Sequence, residues 1–377
     1  MNAAWKTVKL GEVLREEKER VGTFDANVLP VFGVTNTEGV TSTGMEASED
    51  KSKYLRLRPG RFAYNPYRIN VGSIGLSSDS QDGICSPAYV VFATTELIEA
   101  SFLLFFLKSA RGNQLINFYG NRGSVRSALR FKDLCQIEIP LPTLAEQRRI
   151  VARIDELAEQ INDAKELRKQ ATEDGKALLC SILESDAASK PTALRELVNL
   201  RSPDVFVRPD EIYQFAGVYS FGRGVFKADR KSGADFAYPR LTRLKAGEFV
   251  YPKLMAWEGA LGVVPIECDG YVVSTEFPVF TINEDKVFSE VLDIYFRNPT
   301  IWPKLAGEST GTNVRRRRFN PNDFLNYAMP LPSRKTQIIL RKIKAEVDAL
   351  KRLQAETAAE LDAFLPAVLD RAFKGEL

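Results

Sequence analysis

Four consecutive arginines, Arg315-Arg316-Arg317-Arg318, follow Gly311-Thr312-Asn313 in this chain. Each guanidinium presents donors in a flat fork that fits phosphate oxygens or the edge of guanine, so the run suits contact with nucleic acid. Asn121-Arg122-Gly123-Ser124, with Arg126 and Arg130, forms a similar cluster earlier on. A lone charge run is ordinarily a solvated surface, but two clusters at matched places in two similar halves argue for binding. Arg58, Arg61, Tyr67, Arg68 and Asn70, with Lys253 and Trp257 in the second half, add cations and rings beside a glycine turn. That mixture is a weaker sign, since surface cations and core aromatics produce it too.

The elements that must position these residues come as a repeat. Leu10-Gly11-Glu12-Val13 corresponds to Leu194-Arg195-Glu196-Leu197, and Gly33-Val34 before Gly39-Val40 to Gly217-Val218 before Gly224-Val225. Leu57, Gly60, Phe62 and Tyr64 match Leu244, Gly247, Phe249 and Tyr251, and Gly72 to Gly75 match Gly259 to Gly262. Gly123-Ser124 and Arg130-Phe131 align with Gly311-Thr312 and Arg318-Phe319, and each half closes on Pro-Leu-Pro, at 140–142 and 330–332. Apolar runs at 28–34, 62–64, 89–93, 249–251 and 277–282 read as strands, and the patterns at 97–109 and 287–296 as helices, giving mixed α+β modules.

After each Pro-Leu-Pro the period lengthens to that of a coiled coil. Ile150, Ile154, Leu157, Ile161 and Ala164, continuing through Ala171 to Leu178 and Ile182, form one expected seam. Leu340, Ile343, Val347, Leu350, Thr357, Leu361, Phe364 and Val368 form the other; Arg168 and Gly175 interrupt the first seam and Gln354 the second, and a kink is expected at Pro366. A helix from 143 to 185 would be about 60 Å long. If the second helix returns antiparallel, two like modules sit apart about a pseudo-twofold axis, which suits two half-sites on a duplex. The polar stretch 185–192, with Pro191, reads as the connector that opens the second module.

Most other chemistry is excluded. The 377 residues include no histidine, which removes the usual general base near pH 7 and the commonest metal ligand. Gly307-Glu308-Ser309-Thr310-Gly311 has the spacing of a nucleophile elbow, but no histidine can complete a triad. Asn65-Pro66-Tyr67 resembles a shortened adenine-holding loop of amino-methyltransferases and reads better as a turn after a strand. Pro209-Asp210 with Asp229-Arg230-Lys231 imitates a magnesium nuclease, but the run 227–235 is polar and turn-like. There is no P-loop. Cys85, Cys135, Cys180 and Cys268 are scattered and suit a reducing compartment. A net charge of +3 names no partner by itself. No apolar stretch approaches a membrane span and no export signal is evident, so a cytoplasmic location is expected.

Taken together, the chain resembles the specificity subunit of type I restriction-modification systems over nearly its whole length. The residues that carry this are Trp5 to Val13, the Pro-Leu-Pro closures, and Glu146-Gln147-Arg148-Arg149-Ile150-Val151 entering a long helix. Phe364 to Leu369, leading into Ala372-Phe373-Lys374-Gly375-Glu376-Leu377, matches the family's ending, and Leu178 to Leu183 echoes its start. The pattern departs at Thr336-Gln337, where the Glu-Gln pair is lost and Gln337 alone matches Gln147. The resemblance implies target-recognition domains at 1–142 and 187–332, spacer helices at 143–186 and 333–377, and a bipartite DNA target. It implies a non-catalytic chain that binds two adenine-N6 methyltransferase subunits and, in some complexes, restriction subunits. S-adenosylmethionine, ATP and magnesium would then sit on those partners, with no cofactor or metal on this chain. The alternatives are a coiled-coil scaffold that does not touch DNA, or a magnesium-dependent nuclease.

Overall fold

The computed structural model describes residues 5–22, 29–43, 51–121, 128–307 and 318–376. Contacts divide the chain into two units, residues 1–166 with 356–377, and residues 167–355.

The first unit contains β1 (Lys6–Lys9), β2 (Leu14–Glu17), β3 (Val31–Thr35), β4 (Gly39–Ser42) and β5 (Leu55–Leu57). It continues with β6 (Phe62–Tyr64), β7 (Ile74–Leu76), β8 (Gly83–Cys85), β9 (Val90–Thr94) and β10 (Glu138–Leu141). Its helices are α1 (Leu10–Val13), α2 (Ala100–Lys108), α3 (Ala110–Gly120), α4 (Phe131–Leu134) and the first part of α5 (Leu144–Glu184). One sheet has the order β2-β9-β6-β7 and a second β4-β3-β8-β5, while β1 and β10 form a ribbon. In β6 the residues are buried on both faces, as alternation requires of a strand between two layers. Phe62 and Tyr64 enter the core beneath the helices, and Ala63 faces the second sheet with Phe32, Leu57 and Cys85. Phe102, Leu103, Phe106 and Leu107 give α2 its buried stripe, and Ser109 ends it, its hydroxyl accepting the Gly112 N–H that opens α3. A Cβ on Gly112 would stand 2.0 Å from the Phe106 carbonyl oxygen, so the corner between the helices has room only for glycine.

The second unit contains β11 (Lys190–Ala193), β12 (Val198–Leu200), β13 (Val205–Phe206), β14 (Ile212–Tyr219), β15 (Gly224–Ser232) and β16 (Arg240–Arg243). After these come β17 (Phe249–Val250), β18 (Gly262–Val263), β19 (Val272–Ser274), β20 (Val279–Ile282) and β21 (Ala328–Leu331). Its helices are the remainder of α5, α6 (Ser289–Arg297), α7 (Trp302–Gly307), α8 (Pro321–Asn326) and α9 (Arg334–Glu356), all but the last residue of which belongs to this unit. The sheet orders are β12-β20-β17-β18 and β13-β16-β19-β14-β15. They run as β2-β9-β6-β7 and, reversed, as β4-β3-β8-β5, with β13 added at one edge. The one parallel pair of each second sheet, β3–β8 or β14–β19, falls at the same place. Leu10 N–H donates to the Ile137 carbonyl and Leu194 N–H to that of Tyr327. Gly60 N–H donates to the Ser77 carbonyl and Gly247 N–H to that of Val264.

The mixed α+β class read from the sequence is observed, with α5 running unbroken. Several details differ from expectation. Leu129 N–H donates to the Pro66 carbonyl and Phe319 N–H to that of Lys253, so Leu129 corresponds to Phe319. Their separation of 190 residues is that of the two Pro-Leu-Pro closures (129 to 319, 140 to 330). The alignment of Arg130-Phe131 with Arg318-Phe319 was therefore two residues out of register, drawn by a shared Arg-Phe pair.

The expected helix seams slip as well. Leu178 is exposed while Leu179 and Leu183 are buried, and Leu350 and Phe364 are also exposed. A strict seven-residue spacing drifts around a helix of 3.6 residues per turn, and Leu179 and Leu183 pack into the second unit's core together with Ile182 and with Leu340, Ile343 and Val347 of α9. In the weakly apolar middle the contacts are polar. Gln354 donates to the Arg168 carbonyl at 3.2 Å and accepts from the Thr172 hydroxyl at 3.1 Å, and Val347 lies against Gly175. The second helix breaks at Thr357, between α9 and the final helix Ala358–Ala372, which carries Pro366 within it. Residues 227–232, read as turn-like, belong to β15, whose polar composition suits a strand with an open face.

Candidate nucleic-acid interface

In each unit a short central strand leads into a turn that projects side chains outward. After β6, the chain makes a 3-10 turn over Ile69–Val71 and reverses at Gly72, whose φ of 89° lies in the left-handed region. After β17 the turn over Ala256–Glu258 ends at Gly259 with φ 78°. The hydrogen bonds correspond: Arg68, Val71, Gly72 and Ser73 donate to Asn65, Arg68, Ile69 and Arg68. Met255, Glu258, Gly259 and Ala260 donate to Pro252, Met255, Ala256 and Met255. Gly72 and Gly259 are required there because side chains disfavour a positive φ. Ile69 and Ala256 point inward and anchor each turn.

The outward residues of the first turn are Tyr67 and Val71, 62% and 60% exposed, with Arg68 exposed between them. Asn65 accepts the Tyr67 N–H at 3.0 Å, and the Asn113 amide donates to the Asn70 carbonyl at 2.8 Å, tying the turn to α3. The sequence reading of Asn65-Pro66-Tyr67 as a turn after a strand matches this geometry. In the second turn Trp257 donates its indole N–H to the Leu254 carbonyl at 2.8 Å. Lys253 Nζ donates to the Thr275 carbonyl at 2.9 Å and lies 3.8 Å from Glu276, which Arg318 also engages.

Segments 122–127 and 308–317 lie outside the described residues. They hold the candidates Arg122, Ser124, Arg126, Thr312, Asn313, Arg315, Arg316 and Arg317, and Ser309 of the elbow-like pentapeptide. Their flanks are described. Ala128 N–H donates to the Gly120 carbonyl, and the Leu129 and Phe319 bonds tie the chain emerging from each segment to the turn. Tyr64 adds a bond from its hydroxyl to the Leu129 carbonyl at 3.1 Å, and burial pushes that hydroxyl's pKa upward. Each basic segment thus re-enters the fold at a projecting turn. Asn121 and Arg130 are exposed on either side of the first.

Arg58 and Arg61 are placed differently. They flank the entry to β6, not its exit, and both are ion-paired: Arg58 forks onto Glu19 at 2.5 and 2.8 Å, and Arg61 reaches Glu17 at 2.7 Å. The Arg58 hydrogen bond holds the Glu19 carboxyl below the usual carboxylate range. Ion pairs this open to solvent are screened and weak, which leaves each cation able to exchange its carboxylate for a phosphate. Asp210 and Asp229 do not join a metal site: no group of three metal-binding side chains occurs among the described residues. Sequence reasoning missed the ring-and-cation face of β14–β15, whose signal was the alternation Phe215, Gly217, Tyr219.

The profile of the type I restriction modification DNA specificity domain matches residues 2–173, a little under half of the chain. Over those residues the match agrees with the resemblance drawn from the motifs. The crystal structure of the HsdS subunit from Thermoanaerobacter tengcongensis is similar in fold, with TM-score 0.58 and 22% identity, covering 100% of this chain and 98% of the other. A structure described as showing complex assembly and conformational transition of the type I R-M system gives TM-score 0.67 at 22% identity, covering 100% and 99%. No curated protein sequence matches the chain.

Proposed function

We propose that the chain is the specificity subunit of a type I restriction-modification complex. Its two units arise from one duplicated module, and each reads one half of a two-part duplex target. The long helices carry the binding of two adenine-N6 methyltransferase subunits and, where present, restriction subunits, and their length governs the gap between the half-targets. The chain itself performs no chemistry; S-adenosylmethionine, ATP and magnesium belong to the partners, and the complex works in the cytoplasm. The observation that carries this reading is the repeated arrangement in which an arginine-bearing segment returns to a projecting turn through the Leu129–Pro66 or Phe319–Lys253 bond. Phosphate contacts hold the duplex, and exposed side chains such as Tyr67, Arg68 and Asn121 are placed to reach base edges.

A gel-shift titration of duplex DNA, with the chain alone and with its methyltransferase partner, tests the reading. The chain is expected to bind, more tightly in the complex. Replacing Arg315, Arg316 and Arg317 by alanine should reduce the slope of log K against log salt by up to about 2.7, at ~0.9 for each phosphate that is no longer neutralised. Absence of binding under both conditions would favour a scaffold without a DNA role.

A further inference from the structure

The second unit carries a surface that neither turn explains. Phe215, Gly217 and Tyr219 alternate along one face of β14. On β15, Phe226 lies opposite Gly217 and Lys231 opposite Tyr213, so both share that face. Lys231 is there only because of a bulge: between the pairs Gln214–Arg230 and Ala216–Lys227, β15 carries one extra residue. Without it, alternation from Phe226 would turn Lys231 to the other side.

The rings form a ladder. Tyr219 and Phe226 stack with centroids 3.7 Å apart at 15°, and Phe215 meets Phe236 edge-on at 5.2 Å. A Cβ on Gly217 would come within 2.5 Å of the Phe226 ring, so glycine is what lets that ring lie across the strand. Cations occupy the two ends: the Arg223 guanidinium sits 4.6 Å from the Tyr219 centroid and Lys231 Nζ 5.8 Å from that of Phe215. Both are exposed, and neither has a carboxylate partner among the described residues. A cation held over a ring keeps its charge outward and loses little freedom when it meets an anion. The rings that carry the two cations, Tyr219 and Phe215, lie four steps of ~3.3 Å apart along β14, roughly 13 Å.

The described β3–β4 hairpin of the first unit lacks the device. There Thr41 lies opposite Gly33 and Gly39 opposite Thr35, so threonines stand where Phe226 and Tyr219 do. The hairpin tip also joins the second turn, Phe221 N–H donating to the Glu258 carbonyl and Gly222 N–H to that of Gly259. We propose that this face of β14–β15 is a double-stranded DNA contact of the second unit alone, with Arg223 and Lys231 on phosphates and the ladder holding them apart. It rests on the DNA-binding reading above and extends it to a ribbon outside both turns.

The test is a salt titration of the full chain with its methyltransferase partner on a mixed-sequence duplex longer than the footprint. Arg223→Gln with Lys231→Gln should lower the salt slope by up to about 1.8, whereas Arg223→Lys with Lys231→Arg should keep it. Lys190→Gln with Arg195→Gln removes the same charge from exposed positions elsewhere and should leave the slope unchanged. If the unaltered complex binds and the glutamine pair keeps its slope, the ribbon is overturned while the DNA reading stands. An equal loss in the Lys190/Arg195 variant would reduce the effect to net charge and also overturn it. If the unaltered complex does not bind duplex at all, both fall.

Discussion

Replacing Lys344 by methionine is expected to destabilise the second unit by about 3 kcal/mol or more near neutral pH, the usual cost of stripping a partner from a buried charge. Asp293 is 4% exposed on α6, with Arg297 at 2.8 Å and Lys344 of α9 at 3.2 Å; Lys344 also reaches Asp348 at 2.6 Å. Burial alone would push the Asp293 pKa up, but the two cations outweigh it and hold it below the ordinary range. A depressed carboxylate contributes stability that is present above its unfolded pKa, near 4, and is lost as pH falls through the folded value. Without Lys344 only Arg297 offsets the burial, so the folded pKa rises and the stability that the carboxylate contributes above its unfolded pKa shrinks. The gap between variant and parent in urea unfolding should therefore be wide at pH 7 and narrow below about pH 4. Adding Asp293→Asn should recover part of the loss, because the buried charge left with Arg297 alone is then gone. A gap under about 1 kcal/mol, or one that does not change with pH, would contradict this account of the α6–α9 contact.

The second large effect concerns two glutamines. Gln147, fully buried, accepts the Glu99 N–H at 2.7 Å and donates to the carbonyls of Leu97 at 3.2 Å and Pro142 at 2.9 Å. Gln337 accepts from Phe288 N–H at 3.1 Å and donates to Lys286 at 3.2 Å and Pro332 at 3.0 Å. Each amide closes the start of a packed helix, α2 or α6, onto the first turn of the long helix that follows Pro-Leu-Pro. Gln147→Ala leaves three buried backbone groups without partners, at ~1–3 kcal/mol for each that water cannot reach, so a loss of about 3 kcal/mol is expected. Gln147→Glu should cost nearly as much, because a carboxylate has no donor for the two carbonyls. Chemical unfolding of each variant measures this, and a change below about 1 kcal/mol would show that water takes the place of the amide.

These glutamines also show what could and could not be read in advance. The motif Glu146-Gln147 was visible, and so was its reduction to Gln337, but not which member mattered. Glu146 is half-exposed and paired with Arg149 at 2.8 Å, whereas Gln147 is an internal fastener, so losing the glutamate at Thr336 leaves the joint intact. Glycines before and after the central strands gave the register because a positive φ leaves few substitutes, as at Gly60 and Gly247. Leu178 misled because spacing marks a stripe without saying what covers it. Arg130-Phe131 misled because two side chains matched while the backbone bonds fell two residues away. The strand over Lys227 to Ser232 was hidden because its side chains face outward and carry charge, and alternation of apolar residues is the usual sign of a strand. The candidate cations were legible by type; their carboxylate partners, far off in sequence, were not.

Sequencing adenine methylation across the genome, in cells with and without the gene but with its methyltransferase partner retained, tests the central claim most directly. A motif of two short parts split by a fixed gap should be modified when the gene is present and bare when it is deleted. Unchanged methylation on deletion, or loss of a continuous motif with no gap, would contradict the reading of two units each recognising half a target.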